Sequence, residues 1–501
     1  MLQHPSAVAA EHPDRPAVVI GEHVTTYAEL DARSNQVANL LASVGVGPDG
    51  VVAVMLENRP EYFDLAWGVF RSGAYLVPVN WHLSGAEAAL IIADSGAQAV
   101  FVSSALATDG VAPDGAHRFS VGGAVDGWGS YEAAVAGQPT TPRADEIEGT
   151  YMLYSSGTTG RPKGIRREVA DRTIGAPTSF TMLLEHFYGI GPDTVYYSPS
   201  PLYHAAPLGW STGVHRLGGT VVAAERFDAH ATLAAIERHR VTLAQFVPTH
   251  LIRLLGLSED ERAGYDVSSL RSVVHAAAPC PPDVKRAAIE WLGPIVNEYY
   301  SGSEGAGFCA INSEEWLAHP GSVGRSLLGP VHIVGDDGTE LPAGETGQVW
   351  FEGAPRFEYL HDPAKTAEVI DGRGWTTLGD VGHVDADGFL YLSDRVSNMI
   401  ITGGVNVYPR EVEDVLLAHP AVEDVAVIGV ADDDMGEAVR AVVQLRDGAE
   451  PGPALEADLI EFCRARLTHF KCPRSVVVVD QLPRLPTGKL LRRMLPPEVF
   501  A

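Results

Sequence analysis

The first 300 residues alternate short apolar, strand-like runs with amphipathic helical stretches, and that alternation leaves few architectures open. Strand-like runs occur at 51–55, 99–102, 194–198, 220–224, 242–246, 272–276 and 294–299. Helical patterns at 229–239 and 283–291 lie between them. Strands that are apolar on both faces and separated by helices predict βαβ units, hence largely parallel sheets covered by helices. Thr26 and Glu29 have the spacing of a capping box. Leu30, Val37, Leu40 and Leu41 then share one helical face, and Gly45 ends the segment.

After about residue 320 the texture changes. Short strands at 331–334, 347–351 and 389–392 replace the helices, with Asp337-Gly338 and Asp387-Gly388 turns among them. This predicts a small antiparallel sheet or barrel attached to the α/β body. A second change comes near Asp394. Pro409 opens a helix with Val412, Val415 and Leu416 on one face, closed by Pro420. Strands at 425–430, 439–445 and 476–479 and a helix at 455–467 complete a unit large enough to stand as a domain. The expected class is α/β: a large N-terminal domain, 1–394, with αβα-layered sheets and a β-barrel-like subdomain, then a small α+β domain, 395–501.

Charge narrows the function. The 501 residues carry 64 acidic against 36 basic side chains, a formal charge of -28. A broad nucleic-acid-binding surface is therefore not expected, because phosphate binding needs clustered Lys and Arg. Any anion site must rest on backbone amides and a few chosen cations. The four cysteines, Cys280, Cys309, Cys463 and Cys472, show no CxxC spacing and predict reduced thiols. Met1–Ala10 lacks a basic stretch followed by an apolar run, so no signal peptide is expected. No apolar run approaches about 18 residues, so no membrane span is expected. The expected location is the cytoplasm.

The most informative stretch is Tyr154-Ser155-Ser156-Gly157-Thr158-Thr159-Gly160-Arg161-Pro162-Lys163-Gly164. Its glycines let backbone N–H groups converge on an anion. Four hydroxyls add donors and Lys163 adds a point charge. It is not a Walker loop, since Lys163 is flanked by Pro162 and Gly164 rather than followed by Ser or Thr. On its residues alone, both a phosphate cradle and a plain flexible connection stay open.

The loop resembles the signature loop of the adenylate-forming superfamily, which includes acyl-CoA synthetases, adenylation domains and luciferases. The superfamily's other motifs follow in order. Pro201-Leu202-Tyr203-His204 resembles the motif whose histidine or aromatic sits by the acyl carboxylate. Ala276-Ala277-Ala278-Pro279 is similar to the segment lining the adenine and acyl pockets. Tyr300-Ser301-Gly302-Ser303-Glu304 resembles the motif whose tyrosine stacks on adenine, whose hydroxyl contacts phosphate and whose glutamate ligates Mg²⁺. Trp375-Thr376-Thr377-Leu378-Gly379-Asp380 is similar to the ribose motif, with Asp380 as acceptor of the ribose hydroxyls. Asp394-Arg395 resembles the nucleotide-contacting arginine and the hinge after it, near 394–397. Gly403-Gly404 opens a loop like the one that forms the pantetheine tunnel. Pro483 to Lys489 resembles the C-terminal motif carrying the catalytic lysine.

The resemblance implies an ATP-dependent acyl-CoA synthetase with a mobile C-terminal domain. ATP and AMP contacts fall to Ser155, Ser156, Gly157, Thr158, Thr159, Gly160, Lys163, Ala278, Pro279, Tyr300, Ser303, Asp380 and Arg395. Lys489, His204 and Glu304 are the implied catalytic residues, with Glu304 holding Mg²⁺. Coenzyme A falls to Gly403 and Gly404. Tyr203, His204, Ala277, Ser301, Gly302 and Gly307 form the implied acyl pocket, for a medium- or long-chain acid or a bulky polycyclic one. A carrier protein as acceptor, a homodimer, and a non-catalytic nucleotide-binding regulator on the same scaffold stay open. The sequence departs from the pattern in places. Ser155 and Ser303 stand where Thr is usual; Ala276, Ala277, Tyr299 and Ser301 stand where Gly is usual; and Ser397 stands where Asp or Lys is common.

Overall fold

The computed structural model describes residues 3–108, 110–155, 162–395, 398–402, 405–432, 435–484 and 490–500, with the backbone alone at Ser155, Asp394, Arg395, Asn406 and Arg493. Five sheets occur among these residues. The largest runs, in spatial order, through Arg325–Ser326, Cys309–Ile311, Val296–Tyr300, Ser272–His275, Leu243–Phe246, Val195–Ser198, Thr220–Ala223, Pro16–Ile20 and His23–Thr26. Its interior pairs are parallel and its edges antiparallel. A six-stranded, wholly parallel sheet runs through Gly129–Ser130, His117–Val121, Ala99–Ser103, Val51–Met55, Tyr75–Pro78 and Thr150–Tyr151.

These strands are buried along nearly their whole length, as runs apolar on both faces require. One continuous core joins both sheets. It contains Val18 and Tyr196 from the first, Val52 and Phe101 from the second, and Leu30, Trp67 and Val214 from helices Tyr27–Ser43, Pro60–Phe70 and Ala205–Arg216. The first of those helices begins at the expected capping box, with the Thr26 hydroxyl accepting from the Glu29 amide and Glu29 accepting from the Thr26 amide.

The antiparallel unit expected after residue 320 is an open path of four strands: Val331–Val334, Gly347–Phe351, Thr376–Val384 and Leu390–Arg395. Beside it, Phe357–Tyr359 pairs with Lys163–Arg167, which pairs in turn with Leu153–Ser155. The last hundred residues form a sheet around the long Val422–Asp432 and Gly436–Leu445 pair, with helices Pro409–Leu417 and Pro453–Arg464 packed on it. All four cysteines are free and buried, as expected of reduced thiols. Among the described residues no helix is long and apolar enough to cross a membrane.

Four histidines of the large unit, His4, His215, His250 and His275, are buried, and burial holds the His4 imidazole well below its ordinary value. Burial holds the His275 and His215 imidazoles down to about 4 and His250 to about 3, against an ordinary 6.5. Below pH 6.5 the unfolded chain takes up protons that these folded imidazoles refuse. The stability that neutral burial contributes is therefore complete above pH 6.5 and is lost as pH falls toward 4, at up to about 4 kcal/mol per pH unit for three groups. Urea midpoints measured from pH 7 to pH 5 should fall steeply, and a flat profile over that window would show that the imidazoles titrate normally.

Candidate active site

Two neighbouring strands of the large sheet end side by side. Ser272–His275 runs parallel to Val296–Tyr300 with His275 opposite Glu298. Beyond their C-terminal ends the chain turns through 276–279 and 301–305, where an open α/β sheet forms its crevice. A buried charge cluster lies just before both turns. Lys285, from helix Pro282–Leu292, places Nζ 2.6 Å from Glu298 Oε2, and His275 Nε2 lies 3.6 Å from the same oxygen. Lys285 and His275 are fully buried, and the Lys285 ammonium sits 4.9 Å over the Trp316 ring. Burial alone would raise the Glu298 carboxyl. The Lys285 charge and hydrogen bond, together with His275 and Arg410, hold the group below its usual value. Breaking such a pair by removing one partner costs about 3–5 kcal/mol, so helix Pro282–Leu292 is tied to the end of strand Val296–Tyr300.

Successive residues of a strand point to opposite faces. Tyr300 therefore faces one way, its hydroxyl donating to Asp380 Oδ2 and its ring 6.1 Å from Phe351. Asp380 lies on Thr376–Val384, nearly buried, with Arg395 opposite it in the register. Tyr299 faces the other way, into an aromatic group with Trp210 and Phe308. Gly302 allows the 301–305 turn to approach Thr376–Val384, since a Cβ there would lie 2.3 Å from Leu378 Cδ2. Gly307, at φ +65°, is required by the Phe351 ring, 2.2 Å from where its Cβ would stand. Its carbonyl accepts from the Ser301 hydroxyl at 2.9 Å.

The glutamate of the same turn is held by a residue that sequence reading did not single out. Tyr359 donates its hydroxyl to Glu304 Oε1 at 3.0 Å, and Lys163 Nζ lies 5.5 Å over the Tyr359 ring. Arg167, on the same strand as Lys163, donates to the Ser303 carbonyl. Ser155 and Lys163 are opposite each other in an antiparallel pair, so the two ends of the glycine-rich loop are drawn together. The Tyr203 and His204 rings lie 4.3 Å apart, tilted at 49°, at the start of helix Ala205–Arg216.

Lys163, Tyr203, His204, Ala277, Ala278, Pro279, Tyr300, Ser301, Gly302, Ser303, Glu304, Gly307 and Asp380 all line one cleft of about 3180 Å³. Ser156, Gly157, Thr158, Thr159, Gly160, Gly403, Gly404 and Lys489 lie outside the described residues, as do the side chains of Ser155 and Arg395. Tyr359, Arg167, Trp210 and Gln245 also line the cleft. Nothing in their local sequence marks them, because each is defined by a partner distant in the chain. The one trio of potential metal ligands close together among the described residues is His319, Asp385 and Asp387, where Asp385 caps its own turn by accepting from the Asp387 and Phe389 amides.

A family model described as AMP-binding enzyme matches residues 6–358, and its companion, AMP-binding enzyme C-terminal domain, matches 411–489. The chain belongs to the AMP-binding enzyme family. It is an AMP-forming acid–thiol ligase of the acyl-CoA synthetase branch of the adenylate-forming superfamily. A feruloyl-CoA synthase of Amycolatopsis is 35% identical over 96% of this chain and 95% of that protein. The long-chain-fatty-acid–CoA ligase FadD13 of Mycobacterium tuberculosis is 30% identical over 94% and 92%. Among solved structures, the o-succinylbenzoate coenzyme A synthetase of Bacillus subtilis, in complex with ATP and magnesium ion, aligns with a TM-score of 0.84 at 27% identity, covering 99% of each chain.

In this AMP-binding enzyme the 276–279 turn carries a strained residue. Ala277 takes φ +74°, a left-handed conformation that costs an L-residue roughly 1–2 kcal/mol and glycine little. Against that relief stands the greater freedom of glycine in the unfolded chain, about 0.4–1 kcal/mol. Ala277→Gly should therefore raise stability by about 0.5–1 kcal/mol, read as a higher urea midpoint at unchanged slope. A lower midpoint would show that the alanine is unstrained.

Proposed function

We propose that the protein activates a carboxylic acid with ATP and transfers the acyl group to coenzyme A. The observation that carries this reading is the convergence, in one cleft, of four segments far apart in the chain through three contacts: Tyr300 on Asp380, Glu304 on Tyr359, and Tyr359 under Lys163. In the first half-reaction a carboxylate oxygen attacks the α-phosphorus. The bond to the bridging oxygen breaks, and pyrophosphate leaves with that electron pair. In the second, the coenzyme A sulfur attacks the acyl carbon, AMP leaves and the thiol proton passes to solvent. Little covalent chemistry falls to the protein, so its work is positioning and charge stabilisation.

On this reading Tyr300, Ala278 and Pro279 border the adenine and Asp380 accepts the ribose hydroxyls beside Arg395. The 155–163 loop and Ser303 donate to the phosphates. His204 and Tyr203 border the acyl carboxylate, and the Gly403-Gly404 loop borders coenzyme A. Glu304 fits Mg²⁺: it is a hard oxygen ligand lining the cleft, and Mg²⁺ beside phosphates takes one or two carboxylates rather than a protein cage. The ion would offset phosphate charge there, while Tyr359 fixes the carboxylate that holds it. The boundary between the two domains is assigned to 394–397, with rotation about it exchanging Lys489 for the Gly404 loop.

Two substitutions test these roles. Removing a preorganised cation at a charged transition state costs about 10²–10³ in rate. Lys489→Ala should therefore nearly abolish acid-dependent pyrophosphate release while leaving conversion of supplied acyl-adenylate to thioester largely intact; equal loss in both assays would refute domain alternation. Tyr359→Phe removes a hydrogen bond to a charged group, an interaction of about 1.5–3 kcal/mol. It should raise the Mg²⁺ concentration for half-maximal pyrophosphate release about tenfold, with the rate recovering at high Mg²⁺. Failure to recover would give Tyr359 a role other than orienting Glu304.

A further inference from the structure

The small sheet that carries Lys163 and Tyr359 to the cleft has three strands, with Leu153–Ser155 and Phe357–Tyr359 outside and Lys163–Arg167 between them. Side chains alternate across such a sheet, and residues opposite each other share a face. Tyr154 is opposite Gly164, and Tyr359 is opposite Ile165, one position further along. Lys163 and Tyr359 therefore share the face that meets Glu304, and Tyr154 covers the other. On that other face Tyr154 and Leu360 pack against a core cluster containing Val77 and Ile91.

One residue ties this face down. Asp94 ends helix Gly85–Asp94, whose Ile91 and Ile92 are buried. Its carboxylate accepts from the Tyr154 hydroxyl at 2.7 Å, and its carbonyl accepts from His361 Nε2 at 3.2 Å. Tyr154 belongs to one outer strand and His361 follows the other by two positions, so Asp94 clasps both. The middle strand is held as well. The Leu360 amide donates to the Gly164 carbonyl at 2.8 Å, and a Cβ at Gly164 would lie 3.0 Å from Tyr154 Cζ and Oη. Two features of the clasp are unfavourable in isolation. A carboxylate at a helix C-terminus opposes the helix dipole. His361 takes φ +60°, a left-handed conformation that persists only where the surroundings over-determine it.

We propose that Asp94 is a positioning residue for the nucleotide phosphates. By clasping both outer strands it sets where Lys163 and Tyr359 stand, without touching substrate itself. The inference rests on the acid-activating reading, in which Lys163 and the Mg²⁺ held by Glu304 meet the phosphates. Small displacements of positioning groups weaken charge-assisted contacts steeply, because those contacts depend on distance and angle. With the clasp lost, the outer strands shift, and Lys163 and the Tyr359–Glu304 pair lose their setting around the phosphates beyond the α position. The adenine and ribose contacts at Tyr300 and Asp380 belong to other sheets and keep theirs.

The test compares two nucleotides on the full-length protein. Binding of α,β-methylene-ATP with Mg²⁺, and of AMP, is measured by calorimetry for the wild type, Asp94→Ala, Asp94→Asn and Tyr154→Phe. Asp94 is exposed and Tyr154 is half-buried, so none of these changes opens the core. Asp94→Ala and Tyr154→Phe should each weaken the ATP analogue about tenfold, as loss of one hydrogen bond to a charged group does, while AMP stays within about twofold. Their double variant should be no weaker than either single one, because both remove the same bond. Asp94→Asn keeps an oxygen that accepts from Tyr154 and should bind like the wild type. Equal weakening of AMP and the analogue would make Asp94 a general structural residue and overturn the inference. Unchanged binding in Asp94→Ala, or no rescue by Asp94→Asn, would overturn it too. The acid-activating reading fails by a different sign: analogue binding that follows the clasp, without pyrophosphate release from any carboxylic acid, would uphold Asp94 and sink acid activation.

Discussion

The ion pair between Lys285 and Glu298 is the constraint on which the site depends. It lies where two parallel strands end, and both turns that follow carry residues of the cleft. The Lys285 ammonium is fully buried, so separating it from the carboxylate would leave an unpaired charge out of water, at a cost of several kcal/mol. His275 sits against the same carboxylate and stays neutral because burial, aided by the Lys285 charge, opposes its protonation. Neither of its ring nitrogens has a hydrogen-bond partner among the described residues. Its effect is to pin helix Pro282–Leu292, which follows the 276–279 turn, to the strand that leads into the 301–305 turn, and so to place the two turns relative to each other.

With the strand ends fixed, the alternation of a β-strand separates two tasks. Tyr300 faces Asp380 and Phe351, and Tyr299 faces Trp210 and Phe308. One peptide unit thus divides two faces with different partners. Glycines are needed where the turn beyond Tyr300 meets other elements, at Gly302 against Leu378 and Gly307 against Phe351. Ala277 occupies a backbone conformation of the same kind with a methyl group present, and the strain sits on the edge of the cleft, where local strain is tolerated when the surroundings over-determine it.

Much of the fold was legible from apolar periodicity. The strand Val51–Met55 and the helix Ala229–His239 have the ends that the pattern predicts, and Pro409 opens its helix as expected. Ends set by pairing or by caps moved. The strand expected at 294–299 is Val296–Tyr300, because its register with Ser272–His275 and Cys309–Ile311 decides its ends. The helix expected at 455–467 is Pro453–Arg464, since Pro453 takes the first turn, where a missing N–H costs nothing. The motif residues were legible as well, because each motif is local. Tyr359 was not: it reaches Glu304 across 55 positions, as Gln245 reaches Tyr299 across 54 and Arg167 reaches Ser303 across 136.

By itself, the sequence determined the helix-covered parallel sheets, the change to antiparallel strands after residue 320, the last α+β unit and the identity of the motif residues. All of these follow from periodicity, turn residues or short motifs, which act over a few positions. Only the tertiary structure decided that Lys285, Glu298 and His275 share one buried cluster, that Tyr359 holds Glu304, and that Tyr299, on the face away from Asp380, packs between Trp210 and Phe308. Those facts depend on which sheet edges meet and which side chains burial brings together. Burial joins residues by distance in space, and no local pattern in the chain encodes that distance.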